Sequence, residues 1–305
     1  EGWSRSFQHY LDKFEQLLQV ENNMIIFGDS ELESFVFERR DRKNTMFITR
    51  SQDWFKNEFY DKIQTIRTNP EWYNQAGWLS QSTQARLDMY NPLVMSKVFL
   101  LNDARIMDPF NSDMMFWIDA GLTNTVHPGY FTHDKVLEKL PNHINKFSFV
   151  CFPYQAENEI HGFNFNQLNG IVGEKVEMVA RGGFFGGPKH TIGDINGIYY
   201  NLLSSTLSRG LMGTEESIFS IMCYKHADLI NYFDKLAPMD NKLYIHTTEG
   251  KDDMPAHIKS ALTNNQISLS VRNAKLLLGT WQGLYLFEHR INAQNRIIIH
   301  HFIGD

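Results

Sequence analysis

Two cysteines, Cys151 and Cys223, are all the sequence holds, and neither stands in a CxxC pair or at metal-ligand spacing. That scarcity argues against a disulfide framework and a structural zinc. No Asn-x-Ser/Thr acceptor occurs, so nothing asks for a secretory route. The apolar runs are far too short to cross a bilayer, and the first residues carry no signal-peptide pattern. A cytoplasmic location is expected. Basic charge is also short: 29 Lys and Arg against 35 Asp and Glu leave a formal charge of −6, the wrong sign for a nucleic-acid partner. Basic residues do gather at Arg39, Arg40, Arg42 and Lys43, but Glu38 and Asp41 interrupt them, and the stretch reads as a solvated surface turn. With no internal repeat, low-complexity tract or Pro/Ser-rich linker, a single domain over residues 1–305 is expected.

What is present is an ordinary globular composition with a high aromatic share, 13% of the chain. Aromatic faces suit sugar rings and nucleobases, but most of them read as core filling. The chain opens with an amphipathic helix at residues 6–18, where Phe7, Tyr10, Leu11, Phe14, Leu17 and Leu18 recur at helical spacing. Strands are expected at 24–27, 45–49, 115–118, 146–152, 175–180 and 242–245. Helices are expected at 52–66, 90–104, 190–208, 214–233 and 271–278. Strands alternating with helices predict an α/β fold, a three-layer sandwich around a mainly parallel sheet with ligands at the carboxyl ends of the strands. Such a unit normally begins with a strand. Because this chain begins with a helix, its first strand is expected to be absent, as in a fragment of a longer protein.

Four stretches could carry chemistry. In the first, the apolar run Met115-Phe116-Trp117-Ile118 ends at Asp119, followed by the small residues Ala120 and Gly121. A carboxylate at the end of a strand can hold a divalent cation, and the cation can neutralise a diphosphate leaving group. It can equally cap a turn. The second is Gly182-Gly183-Phe184-Phe185-Gly186-Gly187, read as a loop that bends tightly and lets a bulky ligand approach. Its glycine spacing is like that of a Walker A loop, but Pro188 stands where the lysine should be and removes an amide donor, which excludes phosphate-loop chemistry. The third is Gly213-Thr214-Glu215-Glu216-Ser217 before an apolar run: Thr214 suits an N-cap, and both glutamates are favoured by the helix dipole. Either could instead face a cleft as a general base, and two adjacent glutamates cannot point the same way. In the fourth, His300 and His301 close a strand-like run and are candidate metal ligands.

Taken together, these stretches resemble the WlaTC/HtrL family of predicted bacterial glycosyltransferases. The matching pieces are Ser96-Lys97-Val98-Phe99, Pro109-Phe110-Asn111-Ser112, Phe116-Trp117-Ile118-Asp119-Ala120-Gly121, Gly183-Phe184-Phe185-Gly186-Gly187 and Gly213-Thr214-Glu215-Glu216-Ser217. Their order spans the chain to about residue 233. The resemblance implies a GT-A-like fold, a nucleotide-sugar donor, foremost a UDP-sugar, and a glycan or lipid-linked glycan acceptor in surface polysaccharide (lipopolysaccharide) biosynthesis. That work would lie at the inner face of the cell membrane, reached by peripheral association through another domain or a partner. It makes Trp117 to Asp119 the counterpart of a DxD metal motif, with Trp117 in place of the first Asp. Mn²⁺ or Mg²⁺ would then be held by Asp119 with His300 or His301. Lys97, Asp119, Trp117, Ala120 and Gly121 would bind the donor, residues 183–187 would shape the acceptor side, and Glu216, beside Glu215, would be the base of an inverting transfer. Two other readings stay open: a non-catalytic sugar-binding domain with a glycosyltransferase fold, and a metal-dependent hydrolase using His300, His301, Asp119 and a Glu.

Overall fold

Ser6 accepts a hydrogen bond from the His9 amide and so starts α1 (Phe7–Leu18), whose last turn buries Leu17 and Leu18. The computed structural model describes residues 6–154 and 159–225, and beyond them only 254–255, 258, 271–272 and 275–276. By its contacts the chain divides into two compact units, Glu1–Leu229 and Ile230–Asp305, where one domain over 1–305 is expected from the sequence.

In the first unit, α1 leads into β1 (Met24–Gly28), then α2 (Glu33–Phe37) and β2 (Thr45–Thr49), and the two strands pair in parallel. The basic stretch after α2 is not simply a solvated turn. Arg40 is only 8% exposed. Its guanidinium donates to the carbonyls of Leu18, Val20 and Asn22 and to Thr45 Oγ1. The end of α1 leaves carbonyls without helical partners, and one side chain from the α2–β2 connection satisfies them. Arg42 and Lys43 do face solvent.

The helix expected at 52–66 is interrupted. A 3₁₀ turn at Gln52–Phe55 precedes α3 (Tyr60–Arg67). Short helices α4 (Pro70–Tyr73) and α5 (Thr83–Arg86) follow. The helix expected at 90–104 is two, α6 (Tyr90–Met95) and α7 (Lys97–Met107), parted at Ser96. There the Ser96 hydroxyl donates back to the Pro92 carbonyl at 2.7 Å, a local bond that competes with helix continuation.

The sheet departs from the expected, mainly parallel one. Residues 182–187 are no loop: they lie inside β7 (Met178–Pro188), the central strand of a sheet ordered β3–β7–β4, with β3 (Met114–Ile118) and β4 (Ser148–Pro153) both antiparallel to it. Glycine here serves close packing within the sheet. A Cβ on Gly186 would stand 2.3 Å from the Met115 carbonyl, and one on Gly187 would stand 2.6 Å from that of Lys146. The fold is mixed α/β, and among the described residues only β1 and β2 pair in parallel. The strand expected at 175–180 is the first part of β7, and Met114–Ile118 is half-buried.

A hairpin of β5 (Glu159–Ile160) and β6 (Phe163–Asn164) and helix α10 (Phe165–Val172) fill the connection from β4 to β7. Short α8 (Gly129–Thr132) and α9 (Val136–Lys139) lie between β3 and β4. Two helices pack on β7: the 20-residue α11 (Lys189–Ser208) and α12 (Glu215–Lys225), with α7 against α11. Their core is aromatic. Phe185 of β7, Phe219 of α12 and Tyr199 of α11 are fully buried, and Phe149 of β4 lies 4.8 Å, ring to ring, from Phe219. Tyr199 places its hydroxyl on the Met95 carbonyl. Cys151 and Cys223 are thiols, not a disulfide.

In the second unit the described residues include β8 (Val271–Arg272) and β9 (Lys275–Leu276), an antiparallel pair where a helix at 271–278 is expected. The strand expected at 242–245 lies outside the described residues. Among the described residues no helix is long and apolar enough to cross a membrane.

Arg40→Leu should lower stability by about 2–5 kcal/mol, because buried carbonyls lose their donor. Urea unfolding followed by circular dichroism reads this directly, with Arg40→Lys recovering part of the loss. An unchanged midpoint in Arg40→Leu would show that water replaces the guanidinium without cost.

Candidate active site

Opposite β4, the pairing of β7 jumps: Phe149 faces Phe185, but the next residue, Val150, faces Arg181. Residues 182–184 therefore bulge from the ladder on that side, while Gly183 still accepts the Asp119 amide on the other. Bulges re-aim backbone groups, and this one turns the Gly182 peptide toward the start of α12. There the Gly182 N–H donates to Glu216 Oε1 at 2.8 Å, and its carbonyl accepts from Lys97 Nζ at 3.1 Å.

Lys97, the first residue of α7, is nearly buried. Its ammonium lies 2.8 Å from Asp119 Oδ2 and 2.8 Å from Glu215 Oε1. With Gly182 it has a partner for each of its three N–H bonds. Burial alone would lower its pKa, but Glu215 and then Asp119 more than offset that, and the lysine stays charged. Glu215 is 4% exposed. Burial pushes its carboxyl up from 4.5 to about 7, against the opposing pull of Lys97. The other oxygen of Asp119 accepts from Trp117 Nε1 at 2.6 Å. Nothing larger than glycine fits at 182, where a Cβ would stand 2.0 Å from Glu215 Oε1.

The two adjacent glutamates diverge. Glu215 turns inward to Lys97, whereas Glu216 turns toward two residues that the sequence reading passes over, His161 and Arg181. Glu216 Oε2 lies 3.1 Å from His161 Nε2 and 3.4 Å from Arg181 Nη1. Arg181 Nη1 is also 3.4 Å from His161 Nε2. Arg181 is the most open of the three side chains, 44% exposed against 15% for Glu216 and 20% for His161. Tyr154 lies with its ring 5.4 Å from the imidazole. The only sequence-level signal for His161 is the pair His161-Gly162 before an apolar residue, the pattern of a two-residue hairpin turn.

The candidate residues thus separate. Lys97, Asp119, Trp117, Glu215, Glu216 and the Gly182–Gly183 backbone come together. Gly121 instead begins the 3₁₀ turn Leu122–Asn124, which packs on α1 through Thr123 and Asn124, and Ala120 is exposed beside it. Phe184 stacks on Phe116, while Phe185, Gly186 and Gly187 belong to the sheet. Thr214 does not cap α12 with its hydroxyl, whose oxygen is buried without a partner. Its amide donates to the His161 carbonyl instead. His300 and His301 lie outside the described residues. Among the described residues no group of three His, Cys, Asp or Glu could hold a metal ion. At Asp119 the donor set does not fit a divalent ion either, since Lys97 and Trp117 hold both carboxylate oxygens.

Residues 1–236 match the family model of a bacterial protein of unknown function, HtrL_YibB. The chain belongs to that family. Residues 221–305 match a second model, UPF0047 protein YjbQ-like. This segment is similar to the UPF0047 protein sll1880 of Synechocystis, 49% identical over 78 residues, covering 26% of this chain and 53% of that protein. It is similar too to the UPF0047 protein YjbQ of Salmonella typhimurium, 51% identical over 73 residues, covering 24% of this chain and 52% of that protein. The chain spans about half the length of these curated relatives. No solved structure matches.

Because the folded-state pKa of Glu215 is raised, its contribution to stability is full below about pH 4.5 and is lost as pH rises through about 7. The urea midpoint should therefore fall between these pH values, and Glu215→Gln should flatten that fall. An unchanged slope in the variant would mean that the charged Glu215–Lys97 pair is fully compensated.

Proposed function

We propose that the HtrL_YibB part of the chain is a glycosyltransferase, moving a sugar from a nucleotide-sugar, foremost a UDP-sugar, to a hydroxyl of a glycan or lipid-linked glycan in surface polysaccharide synthesis. The observation that carries the reading is the meeting of Asp119, Glu215 and Glu216 with Lys97 and Arg181 around one bulge in β7, although they come from four separate stretches of sequence. Transfer needs a cation for the diphosphate and a proton acceptor for the attacking hydroxyl. Lys97 already has three partners, which leaves the diphosphate to the open guanidinium of Arg181. The acceptor hydroxyl then faces the Glu216–His161 pair. The proposed step uses these side chains alone: the hydroxyl oxygen attacks the anomeric carbon, the bond to the diphosphate breaks with its electrons, and the proton passes to the pair. Inversion at the anomeric carbon follows from a single displacement.

A thermal-shift series with UDP-, GDP-, CMP- and dTDP-sugars, each with and without Mn²⁺, tests the reading. A donor at a hundred times its dissociation constant adds about 2.7 kcal/mol, a rise of roughly 5–10 °C in melting temperature. One nucleotide should raise it, and Arg181→Ala should abolish the rise. Glu216→Gln should keep the rise but lose about a hundred- to ten-thousand-fold in transfer. Glycan binding with no response to any nucleotide-sugar would replace the proposal with a non-catalytic sugar-binding unit. Rapid donor hydrolysis independent of acceptor would replace it with a hydrolase.

A further inference from the structure

His161 sits in an unusual place. It and Gly162 form the two-residue turn of the β5–β6 hairpin, and both have positive φ, 51° and 90°. That is the backbone of a type I′ turn, which needs positive φ at both positions and for which Asn-Gly is the favoured pair. Histidine is less usual than Asn at the first position, and the surroundings hold it there. Trp72 Nε1 and Gln75 Nε2 both donate to the Gly162 carbonyl. Glu159 accepts the Gly162 N–H at 2.6 Å. Gln84 Nε2 and the Thr214 amide donate to the His161 carbonyl, and Ser217 Oγ donates to that of Ile160. A strained residue fixed from several sides is the arrangement found where the strain serves function. The side chain so fixed points at Glu216.

Within the glycosyltransferase reading, on which this rests, we infer that His161 is the general base and Glu216 the group that orients it. The imidazole Nε2 is 3.1 Å from Glu216 Oε2, closer than the 3.4 Å to Arg181 Nη1, and Arg181 has the same carboxylate oxygen as a partner. In this assignment Nε2 carries the proton beside the carboxylate, and the lone pair lies on Nδ1. Glu216 itself is a poor candidate to receive a proton, since the Gly182 N–H holds one oxygen and His161 and Arg181 crowd the other. A carboxylate behind an imidazole fixes its tautomer and stabilises the imidazolium that forms. As the acceptor oxygen bonds to the anomeric carbon, its proton moves to Nδ1, and the electrons of the broken bond leave with the nucleoside diphosphate. The proton then returns to solvent from the partly exposed ring. The groups facing His161 are Glu216 from α12, Arg181 from β7, Glu159 from β5 and Tyr154. Burial, reinforced by Arg181 against the pull of the two glutamates, holds the imidazole below 6.5, so it is neutral and ready to accept a proton at neutral pH.

His161→Asn is the discriminating variant, because Asn suits the turn and removes the base. With UDP-glucose and UDP-galactose as donors and lactose as acceptor, UDP release by the variant should fall about a hundred- to ten-thousand-fold, while its melting temperature holds or rises. The acidic limb of the kcat/KM profile should disappear in His161→Asn and move to lower pH in Glu216→Gln. Activity in His161→Asn within a few-fold of the parent, with the limb lost in Glu216→Gln instead, would overturn the inference and make Glu216 the base. A second measurement needs no substrate. Nitrogen-15 NMR of the full chain should find His161 protonated on Nε2 and titrating below 6.5, and a proton on Nδ1 at neutral pH would refute the assignment. If the parent releases no UDP, the glycosyltransferase reading fails, and the NMR result still decides the state of His161.

Discussion

The ammonium of Lys97, nearly buried and shared between Asp119 and Glu215, is the interaction on which the rest of the first unit's site depends. It joins the start of α7, the end of β3 and the first turn of α12, and with the Gly182 carbonyl it also holds β7. Removing such a charge from water costs several kcal/mol unless close partners offset it. Here two carboxylates and a carbonyl do so. Taking away any one partner leaves the others buried and uncompensated, and this explains why residues so far apart in sequence arrive at one point. The cluster is also full. Its three donors are occupied, so what the site still offers a ligand lies at its edge, where Glu216, His161 and Arg181 retain some exposure.

Glycine lets that edge form. At 186 and 187 the missing side chains allow neighbouring backbones to close on both sides of β7, and at 182 the missing side chain leaves room for Glu215. The bulge opposite Phe149 and Val150 then directs one residue's N–H and C=O to opposite charges, the N–H to Glu216 and the C=O to Lys97. Order in the sheet and electrostatics in the site are thus set by the same few residues.

Much of this is legible in the sequence. Asp119 stands out as the polar end of an apolar strand, and the Glu pair stands out at the start of a helix. Lys97 can be named, though not its engagement by two carboxylates, because a lysine's partners come from distant segments. The glycine run misleads for a physical reason. Glycine punctuates loops far more often than it fills the middle of a strand, and only the close approach of β3 and β4 gives it that use here. Direction of pairing is hidden as well, since strands alternating with helices suit a parallel sheet while β3, β7 and β4 run antiparallel. Arg40 looks like surface charge because its burial depends on three carbonyls about 20 residues earlier in the chain. His161 and Arg181 carry no motif, and their meeting depends on a hairpin anchored by Trp72, Gln75 and Gln84.

The contact between position 182 and the Glu215 carboxylate also bears on how such a chain can diverge. A methyl group at 182 would meet the Glu215 carboxylate, and a shorter residue at 215 that made room for it would leave Lys97 short of a partner. The two positions are epistatic: what 182 can hold depends on 215, and what 215 can hold is limited by Lys97. Separated by more than thirty residues in the chain, they share one constraint on their divergence.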